Sequence, residues 1–252
     1  MKSAPWLILV AVVALDSAAI KAAKLPATFK LCKRHDPNIN ACLQTAIQQA
    51  IREMKPGLPA FHLLPVDPLH VIKITIEEGA GRPVNMNMEF HNTSNVGLSQ
   101  GVLTAVRSDL DKRIIEADGI IPESTMEGDY VMDGRFLVLP VKGKGKYKID
   151  FTGLKATLKL QAEPQTKSGK VYWNVVKFEL NIKSLENFKV QFDNLFNGDK
   201  VLGENTNKIL NENWKQFWEE LKPSFEETFA AVFLQLSKAI FSRVPEADIF
   251  LE

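Results

Sequence analysis

Between Leu210 and Ile240 the chain repeats apolar and aromatic residues every three or four positions: Leu210, Trp214, Phe217, Trp218, Leu221, Phe225, Phe229, Val232, Phe233, Leu236 and Ile240. This is the spacing of one long helix. At about 100° per residue the side chains cover an arc of about 160°, wider than the roughly 100° stripe of a helix resting on one layer. Seven of the chain's 22 aromatic residues lie between Trp214 and Phe241. A rod this greasy must be enclosed, and the stretch from Val66 to Phe196 is mostly strand-like. The expected architecture is therefore α+β: a strongly curved antiparallel sheet wrapped around the C-terminal helix. Packing so many rings against one sheet without voids is difficult, so an internal apolar cavity is expected.

The N-terminus reads as an address. Lys2, the apolar run from Trp6 to Leu15 and the small residues Ser17-Ala18-Ala19 have the order of a secretory signal, residues 1–19. The run is too short for the roughly 20 apolar residues of a spanning anchor. The helical stripe is interrupted by Lys215, Glu219, Glu220, Lys222, Glu226 and Glu227, so stable membrane insertion is not expected. Export would make the protein extracellular, with 20–252 as one domain. Thirty-one basic residues balance 30 acidic ones, which leaves no general field to hold nucleic acid. In an oxidising compartment the two cysteines, Cys32 and Cys42, are expected to pair. Closing so short a loop contributes on the order of 2 to 3 kcal/mol.

Asp36-Pro37 opens a helix whose apolar face is Ile39, Leu43, Ala46, Ile47, Ala50, Ile51 and Met54, and Pro56-Gly57-Leu58-Pro59 stops it. Cys42 on this helix would pin it to the segment around Cys32. Val84, Met86, Met88 and Phe90 alternate with Asn85, Asn87, Glu89 and His91, the period of a strand wet on one face. Strand-like segments follow from Gly101 to Phe192, with turn signals at Asp118-Gly119, Asp133-Gly134, Gly143, Gly145, Pro164 and Ser168-Gly169. Strands in succession imply an antiparallel meander. Pro223 should kink the C-terminal helix or start a second segment.

Three motifs invite chemistry. Gly97-Leu98-Ser99-Gln100-Gly101 matches the GxSxG elbow of secreted esterases, but no histidine follows Ser99 and its surroundings read as strand, turn, strand. Chance is the better explanation, and no enzyme is expected. Lys142, Lys144, Lys146 and Lys148 alternate as on the solvent face of a strand and lack a phosphate-loop pattern. The histidines lack metal-ligand spacing, so neither metal nor cofactor is expected. Asn92-Thr93-Ser94 is a glycosylation sequon, with Asn92 as the acceptor.

An ordered set of strings carries a resemblance over essentially the whole mature chain. Cys32 and Cys42 precede Pro65-Val66-Asp67-Pro68-Leu69, then Gly128-Asp129-Tyr130-Val131-Met132-Asp133-Gly134, then Leu137-Val138-Leu139-Pro140 with Gly143 and Gly145. Asn194-Leu195-Phe196-Asn197-Gly198-Asp199 and Leu210-Asn211-Glu212-Asn213-Trp214 complete it. In this the chain resembles the insect takeout and haemolymph juvenile-hormone-binding proteins. The resemblance implies a bent sheet rolled about the long helix, related to the tubular lipid-binding proteins, with a buried apolar channel. Juvenile hormone carriers commonly have a second disulfide, which two cysteines cannot supply, so the takeout branch is the nearer. That branch is associated with lipophilic ligands and with circadian or feeding regulation.

The expected function is a secreted carrier for an elongated hydrophobic molecule, such as a juvenile hormone-like terpenoid or a fatty acid derivative. Spacing nominates Met86, Met88, Phe90, Leu137, Leu139, Phe225, Phe229 and Phe233 as tunnel residues. The alternative is a secreted signalling or interaction protein with a filled core, linked to circadian or feeding regulation, and an unknown receptor is a candidate partner.

Overall fold

The computed structural model describes residues 23–76, 84–136 and 139–252. The signal segment and Leu137 lie outside the described residues. In chain order the regular elements are β1 (Cys32–Lys33), α1 (Ile39–Glu53), β2 (Leu69–Ile76), β3 (Val84–Val96), β4 (Val102–Asp109), β5 (Ile114–Phe136), β6 (Leu139–Lys167), β7 (Lys170–Ser184), β8 (Asn187–Phe192), α2 (Lys200–Glu212), α3 (Trp214–Phe241), α4 (Glu246–Ile249) and β9 (Phe250–Leu251).

The spine of the sheet is the long antiparallel pair β5 and β6, in register from Ile114 opposite Gln161 to Phe136 opposite Leu139. Each long strand serves two partners in turn. The first half of β5 pairs with β4 and the second half with β3, whose far side carries β2. Likewise β6 pairs with β8 along Tyr147–Thr152 and with β7 beyond Lys155. Helix α3 packs on β2, β7 and β8. Since β2 and β7 end opposite sides of the strand path, one helix can reach both only because the sheet curls around it. The sheet is curved and open, as expected from the stripe on α3.

Several expected turns are absent. Asp118-Gly119 and Asp133-Gly134 lie within β5, and Gly143 and Gly145 within β6. These glycines serve close approach instead. A Cβ on Gly143 would stand 2.6 Å from the Tyr130 hydroxyl and 3.0 Å from the Leu195 side chain, where the loop after β8 crosses the strand. The apolar stripe is also divided differently. Leu210 belongs to α2, and the break falls at Asn213, whose side-chain amide donates to the Ile209 carbonyl at 2.9 Å. Helix α3 runs on through Pro223.

Side chains of α2 finish the outer edge of β8. The Asn207 amide accepts from the Phe192 N–H and donates to the Phe192 carbonyl, both at 2.9 Å. Asn211 does the same for Val190 at 2.8 Å. Two asparagines one helical turn apart thus replace a missing strand and satisfy groups that would otherwise offer a pairing edge.

The N-terminal end is closed by the Cys32–Cys42 disulfide and by parallel pairing of β1 with β9. Beside them Glu246, 8% exposed, accepts from Arg34 and Arg113 and joins the chain ends through charge. Burial opposes ionisation of Glu246, but hydrogen bonding, with Arg34 the largest contributor, outweighs it and holds its carboxyl below the usual range.

Candidate functional site: an apolar cavity under one half of the long helix

Helix α3 has two different environments along its length. Phe217, Trp218, Leu221, Phe225 and Phe229 are buried, whereas Val232, Phe233, Leu236 and Ile240 are only partly so. The first half packs on an aromatic core: Phe217 meets Phe136 at 5.6 Å and Phe188 at 6.1 Å, and Trp218, which also reaches the end of the cavity, meets Phe151 at 5.9 Å. The second half borders a cavity of about 430 Å³.

The floor of this cavity is made by inward rows of three strands. Register places Ala117, Leu158 and Leu180 in one row, Gly119, Ala156 and Ile182 in the next, and Ile115, Leu160 and Phe178 in a third. Alternation along each strand sends these side chains to one face. Ala117, Gly119 and Ala156 are small where a filled core would carry bulk, so these rows leave a hollow in the floor, with Leu103 of β4 packed beside Gly119. The other wall is α1, through Leu43, Ala46, Ile47, Ala50, Ile51 and Met54, with Leu25, Phe29 and Leu31 before it. Cross-linking of Cys42 to Cys32 and side-chain amides hold that helix in place. Gln48 accepts from the Leu103 N–H at 2.8 Å and donates to the Gly101 carbonyl at 2.7 Å, while Gln44 donates to the Leu103 carbonyl at 2.8 Å.

One end of the cavity is closed by rings. Phe151 and Phe225 stand 6.0 Å apart and line it, and Phe90 packs behind Phe225 at 6.2 Å. Close to this end lies the turn that carries Ser99. Buried Asp67 accepts from the Gly97 N–H at 3.1 Å, from the Ser99 N–H at 3.0 Å and from the Ser99 hydroxyl. Burial raises the carboxyl's pKa, but these bonds outweigh that and hold it below its ordinary value. Ser99 is therefore a turn-closing residue with its proton committed to a carboxylate. Among the described residues no group of three or more His, Cys, Asp or Glu side chains could hold a metal ion.

The nominated residues separate. Phe225, Phe229 and Phe233 line the cavity, with neighbouring rings 6.3 and 6.2 Å apart. Met86, Met88 and Phe90 are buried in the aromatic core beyond the closed end, and Leu139 is half-buried away from the lining. The methionines that do line the cavity are Met54 and Met126. The apolar face of α1 was visible in the sequence as a helix face, yet nothing in its period marks it as a cavity wall. The small inward residues of β5 and β6 were a usable signal. Asn92 is exposed in a β-bulge of β3, and Lys142, Lys146 and Lys148 lie on the wet face of β6 paired with Asp133, Asp129 and Asp150.

An open curved sheet that holds an apolar cavity beneath one long helix is the architecture of a protein that binds lipophilic molecules. The chain belongs to the haemolymph juvenile hormone binding protein family, whose profile matches residues 7–251. It is similar to Takeout 1 of Epiphyas postvittana, with a TM-score of 0.79 and 27% identity, covering 88% of this chain and 100% of that one. The circadian clock-controlled protein daywake of Drosophila melanogaster is 23% identical over 188 residues, 72% of this chain and 71% of that protein. A Schistocerca gregaria protein named "Putative beta-carotene-binding protein" is 25% identical over 129 residues, 51% of this chain and 50% of that protein. Among the described residues no helix is long and apolar enough to cross a membrane.

Proposed function

We propose that the chain is a secreted carrier that shields an elongated hydrophobic molecule, a terpenoid, fatty acid derivative or similar lipid, in the cavity between α1, α3 and the sheet. The single observation that carries this reading is the cavity of about 430 Å³ with its almost wholly apolar lining. Affinity comes from burial. At about 25 cal/mol per Å², covering 300 to 400 Å² of ligand surface is worth roughly 7 to 10 kcal/mol before ordering costs. The family supports a lipophilic guest, and the name of the locust relative refers to a long hydrocarbon. Export is supported by the apolar N-terminal run, the disulfide and the haemolymph origin in the family's name. In this reading residues 1–19 are removed, 20–252 form one ligand-binding domain, Asn92 is open to glycosylation, and Ser99 performs no catalysis.

Organic extraction of the protein secreted by its native tissue, followed by mass spectrometry, tests the reading. A stoichiometric hydrophobic compound is expected. Protein that arrives folded and empty, and that takes up no lipid when offered a tissue extract, would overturn it.

A further inference from the structure

One buried polar group in the cavity has no use in a purely apolar guest site. Asn95, on β3, is 3% exposed, and its side-chain amide oxygen has no hydrogen-bond partner among the described residues. Asn95 is a lining residue at the ring-closed end, opposite Met126 in the strand register. Two buried hydroxyl residues line the same end: Ser124, 6% exposed and opposite Phe151 in register, and Ser99, 7% exposed. The rest of that end is Leu69, Leu98, Met126, Phe151, Trp218 and Phe225.

Burying an amide without a partner is unfavourable, and native proteins leave few such groups. A carboxamide presents both an acceptor and donors, the Ser124 hydroxyl adds either role, and the Ser99 hydroxyl, its proton held by Asp67, can only accept. The cavity therefore has chemical direction: apolar along its length and polar at one closed end. From this polarity we infer that the site takes a guest with a neutral hydroxyl at one terminus, inserted head first so that the hydroxyl donates to the Asn95 amide oxygen, which a turn of that side chain brings to the cavity surface, while its apolar tail lies along α3. The inference rests on the carrier reading and narrows its ligand class to long-chain or terpenoid alcohols.

Charge argues for the neutral group over a carboxylate. The buried carboxylate of Asp67 is bonded to Gly97 and Ser99, and the Gly97 backbone abuts Ser124: a Cβ on Gly97 would stand 3.3 Å from the Ser124 Cβ. An anionic headgroup would be placed near a like charge where screening is weak. Among the described residues of the lining the one cationic side chain is Lys30, an exposed residue beside Leu31 and the disulfide, on the segment before α1.

The test compares 1-dodecanol, its methyl ether and dodecane by displacement of N-phenyl-1-naphthylamine from the whole secreted protein. The alcohol should bind about tenfold more tightly than the ether, which can accept but cannot donate. Asn95→Leu, close in size to the amide, should lose the alcohol's advantage over the ether while still taking up dodecane, because an unpaired hydroxyl then pays its desolvation, and Ser124→Ala should narrow the preference by a smaller factor. Should Asn95→Leu fail to fold, the Ser124→Ala comparison decides alone. Equal binding of alcohol and ether by the wild-type protein would mean that solvent serves the amide, which overturns the headgroup assignment and leaves the carrier standing. A preference that persists unchanged in both variants overturns it as well. Failure of all three probes to bind the wild-type protein defeats the carrier reading, and the assignment with it.

Discussion

Filling the hollow in the floor should shorten the ligand the protein can hold, by an amount set by the cavity. Taking about 30 Å³ for each methylene-sized group, a volume of about 430 Å³ holds about 14 of them. Each methylene transferred from water contributes about 0.8 kcal/mol, close to a fourfold gain in affinity. In a series of n-alcohols the dissociation constant should therefore fall about fourfold per carbon and level off near 14 carbons. Ala156 lies in the middle floor row between Gly119 and Ile182, 7% exposed, and its side chain faces the cavity. The substitution Ala156→Phe places six ring carbons in that space and should move the break to about eight to ten carbons, with little overpacking strain because the volume is already open. Displacement of N-phenyl-1-naphthylamine measures the series, and urea unfolding checks that the variant is folded. A break at the same length in both proteins, or an affinity that keeps rising fourfold per carbon past 20, would refute the assignment of this cavity as the binding site.

Other perturbations probe the same architecture. Phe229→Asp places a carboxylate in the middle of the apolar lining and should weaken uptake at least about a hundredfold while secretion remains measurable; unchanged uptake by the folded variant removes Phe229 from the site. Replacing Cys32 and Cys42 together by Ser should lower unfolding free energy by about 2 to 3 kcal/mol in urea and also weaken binding, because α1 is then held to β1 by packing alone. Unaltered stability in that double variant would contradict the role assigned to the bridge. Glu246 ionises more readily folded than unfolded, so its contribution is full above its ordinary value of 4.5 and drains away as pH falls through the depressed folded value. Glu246→Gln should accordingly flatten the acid limb of a stability-pH curve, and an acid limb identical to the wild type would rule out this carboxylate as its source.

Much of the architecture was legible because it follows from period. The width of the apolar arc on α3 required enclosure, and strict alternation in Met86, Met88 and Phe90 identified a half-wet strand. What period could not supply was where the enclosure is full and where it is hollow. Phe217 and Phe233 stand at the two edges of the apolar arc, about 160° apart around the helix, and one is sealed among Phe136, Phe188 and Phe192 while the other faces open volume. Period gives the angle of each ring but not what it meets: Ala117, Gly119 and Ala156, far away in sequence, are gathered into the cavity lining by strand register. The same nonlocality places Met86 and Met88 outside the cavity lining. Their strand pairs with the distal half of β5, over the aromatic core, while the cavity floor is the proximal half. Glycines misled for a related reason: Gly143 looked like a turn and is a gap through which another loop passes.

The central claim is that the space between α1, α3 and the β5–β7 floor receives the ligand. Anomalous diffraction from crystals of the protein loaded with 12-bromo-1-dodecanol tests it most directly. The account predicts one bromine peak inside the cavity near α1 and the disulfide, with the hydroxyl end toward Asn95. Bromine found only on the outer surface, with floor and helix side chains closed over the cavity, would contradict it.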